Sequence, residues 1–466
     1  MHEDLLIKRF AEISAVPRAS GCTAPVADYL VSFAKMAGLD YIRDGKDNVV
    51  IFKDPSPGYE SSPTVMLQAH TDMVQVYTPG TKQAEAASVP EIRVSKDGDL
   101  LYAVNSSLGA DDGIGCAMML EILSDNTLYH PRLECVFTSD EEIGLLGAAA
   151  LDCSVLKAKY MINLDSEDEG IFCVGCCGGT RVDFSIPIEY KDENAKGVRL
   201  SISGLKGGHS GTEIGKGGNA LKLLGRLISM IPDAALADIS GGERDNAIPS
   251  HASAAVTNTT AEAVIKAWKK ISYDVTRQDP DASLEITDIG TVRPFSDSSS
   301  EKILSWLDSV PCGITEMSRD IPGLPQTSCN LAVIHCEDSK VCGCESLRSA
   351  SSTALKDLAD TICKSVSALG GNTSRRGDYP GWEYRPDSQI RKVMLNSYRE
   401  LFHREAKVEI IHAGLECGLI TSAIPGLDAI SLGPQMQGVH TVGESLSISS
   451  AQRTFSLLKK ALENLR

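Results

Sequence analysis

Apolar residues near the start of the chain recur at helical spacing in DLLIKRFAEISAV and VADYLVSFAKMAGL, which predicts two amphipathic helices. NVVIF and TVMLQA are short apolar runs of strand character, and TVMLQA leads directly into HTD. GIGCAMMLEILSD (113–125) predicts a helix, RLECVFTS a strand, GLLGAAAL a short helix and YMINLD another strand. Strands alternating with helices imply a mostly parallel sheet covered by helices on both faces.

Near Gly178 the pattern changes. TRVDFSIPIEY and VRLSISGL alternate inward and outward positions as amphipathic strands, and helices follow at ALKLLGRLISMI and EAVIKAWKKISYDV. The order then recurs: ASLEITDIG as strand, EKILSWLDSV as helix, TSCNLAVIHCED as strand, STALKDLADTICKSVSAL as helix. This is an α+β segment with room for two lobes, although no sequence repeat is evident. GGERDNAIP and SRRGDYPGWEYRP read as loops. The α/β style then returns, with a helix at SQIRKVMLNSYRELF and strands at AKVEIIH and LDAISLGP. SSAQRTFSLLKKALENL closes the chain as a helix with Ser449 or Ser450 as N-cap. The simplest architecture is one α/β domain in two pieces, 1–178 and 381–466, with a second domain, 179–380, inserted between them.

Composition narrows the function. A chain of 466 residues is longer than one core usually holds, in keeping with two domains. The net charge of −17 argues against nucleic-acid partners, and no polybasic patch suits a membrane surface. MHEDLLIKRF is charged and lacks the apolar core of a secretory leader. No apolar run approaches the ~20 residues of a membrane span. Fourteen dispersed cysteines then read as reduced thiols of a cytoplasmic protein. The tight pairs Cys176-Cys177 and Cys342-Gly-Cys344 lack the second half of a zinc-finger pattern, so they read as buried or incidental.

Histidines and acids fall at the predicted strand ends. TVMLQAHTD supplies His70 and Asp72, LGADDGIG supplies Asp111 and Asp112, and TSDEEIG supplies Asp140, Glu141 and Glu142. YMINLDSEDEG supplies Asp165, and SLGPQMQGVHTVGE supplies His440. Ligands of an open α/β sheet bind beyond the carboxyl ends of its strands, so these groups should meet at one edge. Two histidines with several carboxylates suit divalent metal of intermediate hardness. Three carboxylates and a hydroxide balance two such ions, whereas one ion would leave a concave site negative. His70 and Asp72 face the same way on an extended strand, so Asp72 is placed to accept the second imidazole N–H. Taken singly, HTD, GADDG and DEE are ordinary surface or helix-start patterns. Their occurrence together, in order, is what points to metal.

The ordered set HTD, GADDGIG, DEEIG, NLDSE and GVHT resembles the co-catalytic zinc metallopeptidase family of carboxypeptidase G, peptidase T and the aminoacylases. Within it, NLDSEDEG, GLKGGHSG, DNAIPSHA, TSCNLAV, YPGW and HAGLECG are similar to the aminoacyl-histidine dipeptidase branch, and the likeness runs along most of the chain. The resemblance implies a mostly parallel-sheet, two-metal peptidase domain with an inserted α+β lid domain. It implies two divalent ions, zinc first, with manganese or cobalt as alternatives. It implies that His70 and Asp165 bind one ion, Glu142 and His440 the other, and that Asp111 bridges both. By the same resemblance Asp72 supports His70, and Glu141 is the general base on a metal-bridging water. His209 in KGGHSG becomes the oxyanion donor, acting from its own chain or across a homodimer. A cis peptide at Asp111-Asp112 is also implied.

Substrate contacts are less determined. Glu416 in HAGLECG follows a strand and precedes a helix, where it would pair with a dipeptide's α-amino group or serve only as a helix N-terminal acid. Asn246 and Arg376 are candidates for the substrate carboxylate, with Arg375 adjacent and a solvated arginine pair as the alternative. The leading expectation is a metal-dependent dipeptidase acting on Xaa-His or on dipeptides broadly. A deacylase of N-acyl amino acids would use the same ions. A non-catalytic binding protein would have no evident use for Glu141.

Overall fold

A computed structural model describes residues 5–80, 89–319 and 323–466. Met1–Asp4, where the charged N-terminal stretch and the first expected helix begin, lie outside the described residues. The chain forms two compact units. One comprises 1–176, 382–411 and 415–466, and the other comprises 177–381 and 412–414.

The first unit is built on an eight-stranded sheet in the order Tyr41–Arg43, Val49–Lys53, Leu133–Thr138, Val65–His70, Tyr160–Asn163, Asp428–Ser431, Ile171–Cys176, Lys407–Ile411. Four of its seven neighbour pairings are parallel. Val65–His70 and Leu133–Thr138 are buried along their whole length. That is why they read as continuous apolar runs and not as alternating strands. Helix Ala110–Ser124 packs on Val65–His70, and Leu5–Ser14 packs on that helix in turn. Thirteen of the fifteen residues of Ala110–Ser124 are buried, so it is a core helix with no polar face.

A second, four-stranded antiparallel sheet runs in the order Met436–Gln437, Ser445–Ser447, Leu100–Ala103, Ile92–Val94. Strands of two to four residues carry too little periodicity to be read from sequence. This sheet frames the loop that bears His440. The closing helix is Ile448–Asn464, and its N-cap is Ser447, whose hydroxyl accepts from Ser450 N at 3.2 Å. Ser449 and Ser450, the expected caps, lie inside the first turn, and the Ser450 hydroxyl accepts from Gln435 N at 2.8 Å instead.

The second unit is a nine-stranded antiparallel sheet. Its main path is Ser283–Val292, Ala195–Ser203, Ala252–Thr257, Ala235–Gly241, Pro325–Glu337, Lys340–Ser349, Gly178–Pro187, Asn372–Tyr379, and Gly313–Met317 pairs with Pro325–Glu337. The two halves of the path join through a single residue pair, Gly241 with Ile334. The core includes Val182, Phe184 and Ile186 from one strand, at the period of two expected of a half-buried sheet, together with Leu221, Leu224 and Ile228 of helix Ala220–Ser229. SRRGDY, expected as loop, is instead the edge strand within Asn372–Tyr379. Charged, exposed residues conceal its strand character and also protect an edge from further pairing.

The described cysteines are all free thiols. Among the described residues no helix is long and apolar enough to cross a membrane.

Candidate metal centre

Three adjacent parallel strands of the first unit, Leu133–Thr138, Val65–His70 and Tyr160–Asn163, end on the same side. His70 is the last residue of its strand, Glu141 and Glu142 follow Thr138, and Asp165 follows Asn163. Asp111 lies at the start of helix Ala110–Ser124, and its peptide bond to Asp112 is cis. His440 comes from the loop between Met436–Gln437 and Ser445–Ser447.

The donor atoms converge. His70 Nε2 lies 3.0 Å from Asp111 Oδ1 and 3.9 Å from Asp165 Oδ1. His440 Nε2 lies 3.1 Å from Asp111 Oδ2 and 2.8 Å from Glu142 Oε1. Two triads result, His70/Asp111/Asp165 and Asp111/Glu142/His440, each with its ligand atoms within 4.8 Å of one another. Asp111 belongs to both and directs one oxygen to each. Glu141 and Glu142 both come within reach of His70, and of the two it is Glu142 that contacts His440.

Electrostatics follow from crowding acids in a buried place. Burial opposes the charge on His70, but Asp111 and Asp72 overcome it and raise its pKa well above the usual imidazole value. His440 is pushed up to about 10 by its hydrogen bonds to Asp111 and Glu142. Burial raises Asp165, and it lifts Glu141 to about 8 with further help from Glu416, Glu142 and Asp111. Asp111 is driven down: burial works against it, and the two histidines win. Metal binding at such a set displaces protons. Two imidazoles and three carboxylates in two triads sharing one carboxylate fit a pair of divalent ions.

Asp72 differs in detail from expectation. His70 Nδ1 sits 3.1 Å from the backbone oxygen of Asp72 and 3.5 Å from its carboxylate, the outer limit of a hydrogen bond. The carboxylate instead accepts from Glu141 N at 3.0 Å and Glu142 N at 3.3 Å. It therefore orients the acids of the neighbouring loop as much as the histidine. Glu416 is fully buried in the first turn of helix Glu416–Ala423. Its Oε2 accepts from Gln68 Nε2 and Thr138 Oγ1, both at 2.6 Å, and burial raises its pKa to about 7.

Glu444 was absent from the sequence reading. Its carboxylate accepts from the backbone N–H groups of Leu108, Gly109, Ala110 and Asp111 at 2.7–3.4 Å, so the loop that carries His440 also holds the loop that carries Asp111. The available signal was an acid four residues after a candidate ligand, in a glycine-bounded loop.

The remaining candidates belong to the second unit. His209 Nε2 lies 3.3 Å from Arg348 Nη2, and Asn246 O accepts from Ser210 N at 2.8 Å. Burial, then the charge of Arg348, lowers the His209 pKa. Arg376 is half-exposed and ion-paired to both Asp183 and Asp245. Arg375 is paired with Asp360. Arg348, also missed from sequence, is buried, and its Nη1 donates to Tyr379 Oη at 2.8 Å. An arginine inside the strand Lys340–Ser349 was the signal.

The sequence model of peptidase family M20/M25/M40 matches residues 66–464. The cytosol non-specific dipeptidase of Escherichia coli (strain K12) is 32% identical over 474 residues, covering 98% of this chain and 96% of its own. The crystal structure of aminoacylhistidine dipeptidase from Vibrio alginolyticus superposes with a TM-score of 0.92 at 30% identity, covering 99% of this chain and 97% of that one. Aminopeptidase PepT from Bacillus cereus ATCC 10987 shares the fold, with a TM-score of 0.58 at 16% identity over 99% and 98% of the two chains.

Proposed function

The chain belongs to peptidase family M20/M25/M40, and on that premise we propose that its first unit carries a two-metal centre that hydrolyses dipeptides. The observation that carries this reading is Asp111, which offers one oxygen to His70 and the other to His440. His70 and Asp165 would hold one ion, Glu142 and His440 the other, and Asp111 both. Zn²⁺ is the ion we assign, since a mixed histidine–carboxylate set suits it, with Mn²⁺ and Co²⁺ as substitutes. When bound, such ions supply Lewis acidity that activates water and polarises a carbonyl.

The protein's own groups do the rest. The Glu141 carboxylate takes the proton of the attacking water and returns it to the leaving amine. Burial and the neighbouring acids Glu416, Glu142 and Asp111 raise its pKa, and the charge of bound ions would act the opposite way and favour the carboxylate. Asp72 fixes the Glu141 and Glu142 backbone through its two carboxylate oxygens. Glu444 fixes Asp111. For the second unit we assign to His209 a hydrogen bond to the developing oxyanion. Of the candidates for the substrate carboxylate, the Arg376 guanidinium is already held by two acids, which leaves Asn246 as the one we assign. Free thiols support a cytoplasmic setting.

The test is a panel of unblocked dipeptides, including β-Ala-His, Gly-His and Gly-Gly, assayed with metal-replete and chelated protein beside the N-acetylated forms. Chelator-sensitive cleavage of unblocked dipeptides is expected. Preference for the acetylated forms would replace this reading by a deacylase, and metal content without turnover would leave a binding protein.

A further inference from the structure

We infer that the short segment Arg18–Gly21, in the stretch PRASG, is a positioning element of the metal centre, with Arg18 and Ser20 setting how its ligand loops stand to one another. This rests on the two-metal reading above. Arg18 is buried, 2% exposed, and its guanidinium ends on backbone carbonyls. Nη1 donates to Thr71 O at 3.2 Å and to Asp72 O at 3.4 Å, and Nη2 donates to Gly109 O. Thr71 and Asp72 directly follow His70, and Gly109 stands two residues before Asp111. One planar fork therefore spans the His70 loop and the Asp111 loop.

The surroundings are built close around that fork. A Cβ at Gly109 would fall 2.6 Å from Nη2, and a Cβ at Gly113 would fall 2.5 Å from it. The backbone of the same segment is laced to the His70 loop by Met73 N to Arg18 O at 3.0 Å and Ser20 N to Met73 O at 3.2 Å. Ser20 Oγ donates to Asp72 Oδ2 at 2.7 Å, the carboxylate that receives Glu141 N and Glu142 N. Gly21 N donates to Asp140 Oδ1 at 2.7 Å. Four consecutive residues thus touch all three loops that bring His70, Asp111 and Glu141-Glu142 together. They precede the family match, which begins at residue 66.

Desolvating a guanidinium is costly, and an apolar residue would fill this volume more cheaply. What an apolar residue or a lysine cannot do is donate from one rigid plane to two loops. Outer partners that orient metal ligands typically account for about 10–100-fold in metal affinity.

The experiment titrates Zn²⁺ into metal-free protein against a chromophoric chelator and counts bound ions by native mass spectrometry. It compares the wild type with Ser20→Ala and Arg18→Lys, each shown by circular dichroism to be folded at the assay temperature. The wild type is expected to bind two ions. Each variant is expected to hold at least one of them roughly 10-fold more weakly, with a matching fall in kcat. A role confined to fold stability would lower the melting temperature and leave the affinity of folded protein unchanged. Folded Ser20→Ala and Arg18→Lys that bind both ions as the wild type does would overturn the inference. If Arg18→Lys does not fold, Ser20→Ala decides alone. A wild type that takes up fewer than two ions overturns the two-metal reading and this inference with it.

Discussion

Glu141 and Glu142 are adjacent in sequence and differ in what they touch. Glu142 contacts His440, while Glu141 carries a pKa lifted to about 8 by burial and by the acids around it. Glu141→Gln keeps the shape and removes the proton acceptor. We expect kcat to fall by roughly 100-fold or more with metal content unchanged, measured by steady-state kinetics beside elemental analysis. Full activity in that variant would remove Glu141 from the mechanism. A second residue-scale expectation concerns Glu345 of the second unit, which is fully buried with neither carboxylate oxygen hydrogen-bonded among the described residues. Burial raises its pKa to about 8, against the partial opposition of Lys222. Folded protein then holds a proton that unfolded chain has released. The stability this contributes is present below the ordinary carboxylate value and is lost as pH rises toward 8. Glu345→Gln should therefore flatten the pH dependence: denaturant midpoints at pH 5 and pH 8 should lie closer together than in the wild type.

At the scale of elements, the centre depends on how loops leave the strands. Asn48 sits at the start of Val49–Lys53, and its side chain brackets the acidic loop: Oδ1 accepts from Ser139 N at 3.0 Å and Nδ2 donates to Gly147 O at 2.9 Å. Both contacts are buried, so Asn48→Ala would leave a backbone donor and acceptor unsatisfied. The expected loss is about 1–3 kcal/mol of unfolding free energy, read from chemical denaturation. An unchanged midpoint would show that the loop needs no such brace. Elements were legible where they were long and periodic, as in Gly178–Pro187 and Ala220–Ser229. The edge strand Asn372–Tyr379 was not, because charged side chains line it. The short strands flanking the His440 loop were not, because they are too short to show a period and Ser445–Ser447 takes its second partner, Leu100–Ala103, from far away in sequence.

For the whole molecule, the ligands come from five separated stretches that only folding unites. Ions bound there favour the native state over an unfolded chain that cannot assemble the set. Chelation should lower the melting temperature of the protein, and Zn²⁺ should restore it. At a free ion concentration about 1,000 times the Kd the gain is about 4 kcal/mol. A melting temperature indifferent to chelator and to added Zn²⁺ would be inconsistent with a tight site. The sequence by itself determined the fold class and nominated His70, Asp111, Glu141, Glu142, Asp165 and His440, because strand-end position and side-chain chemistry are local and readable in order. Tertiary structure alone decided the contacts of Asp111, the contact that separates Glu142 from Glu141, and the braces Arg18, Ser20 and Glu444. Those depend on which distant atoms a side chain meets, and nothing in local periodicity or composition encodes that.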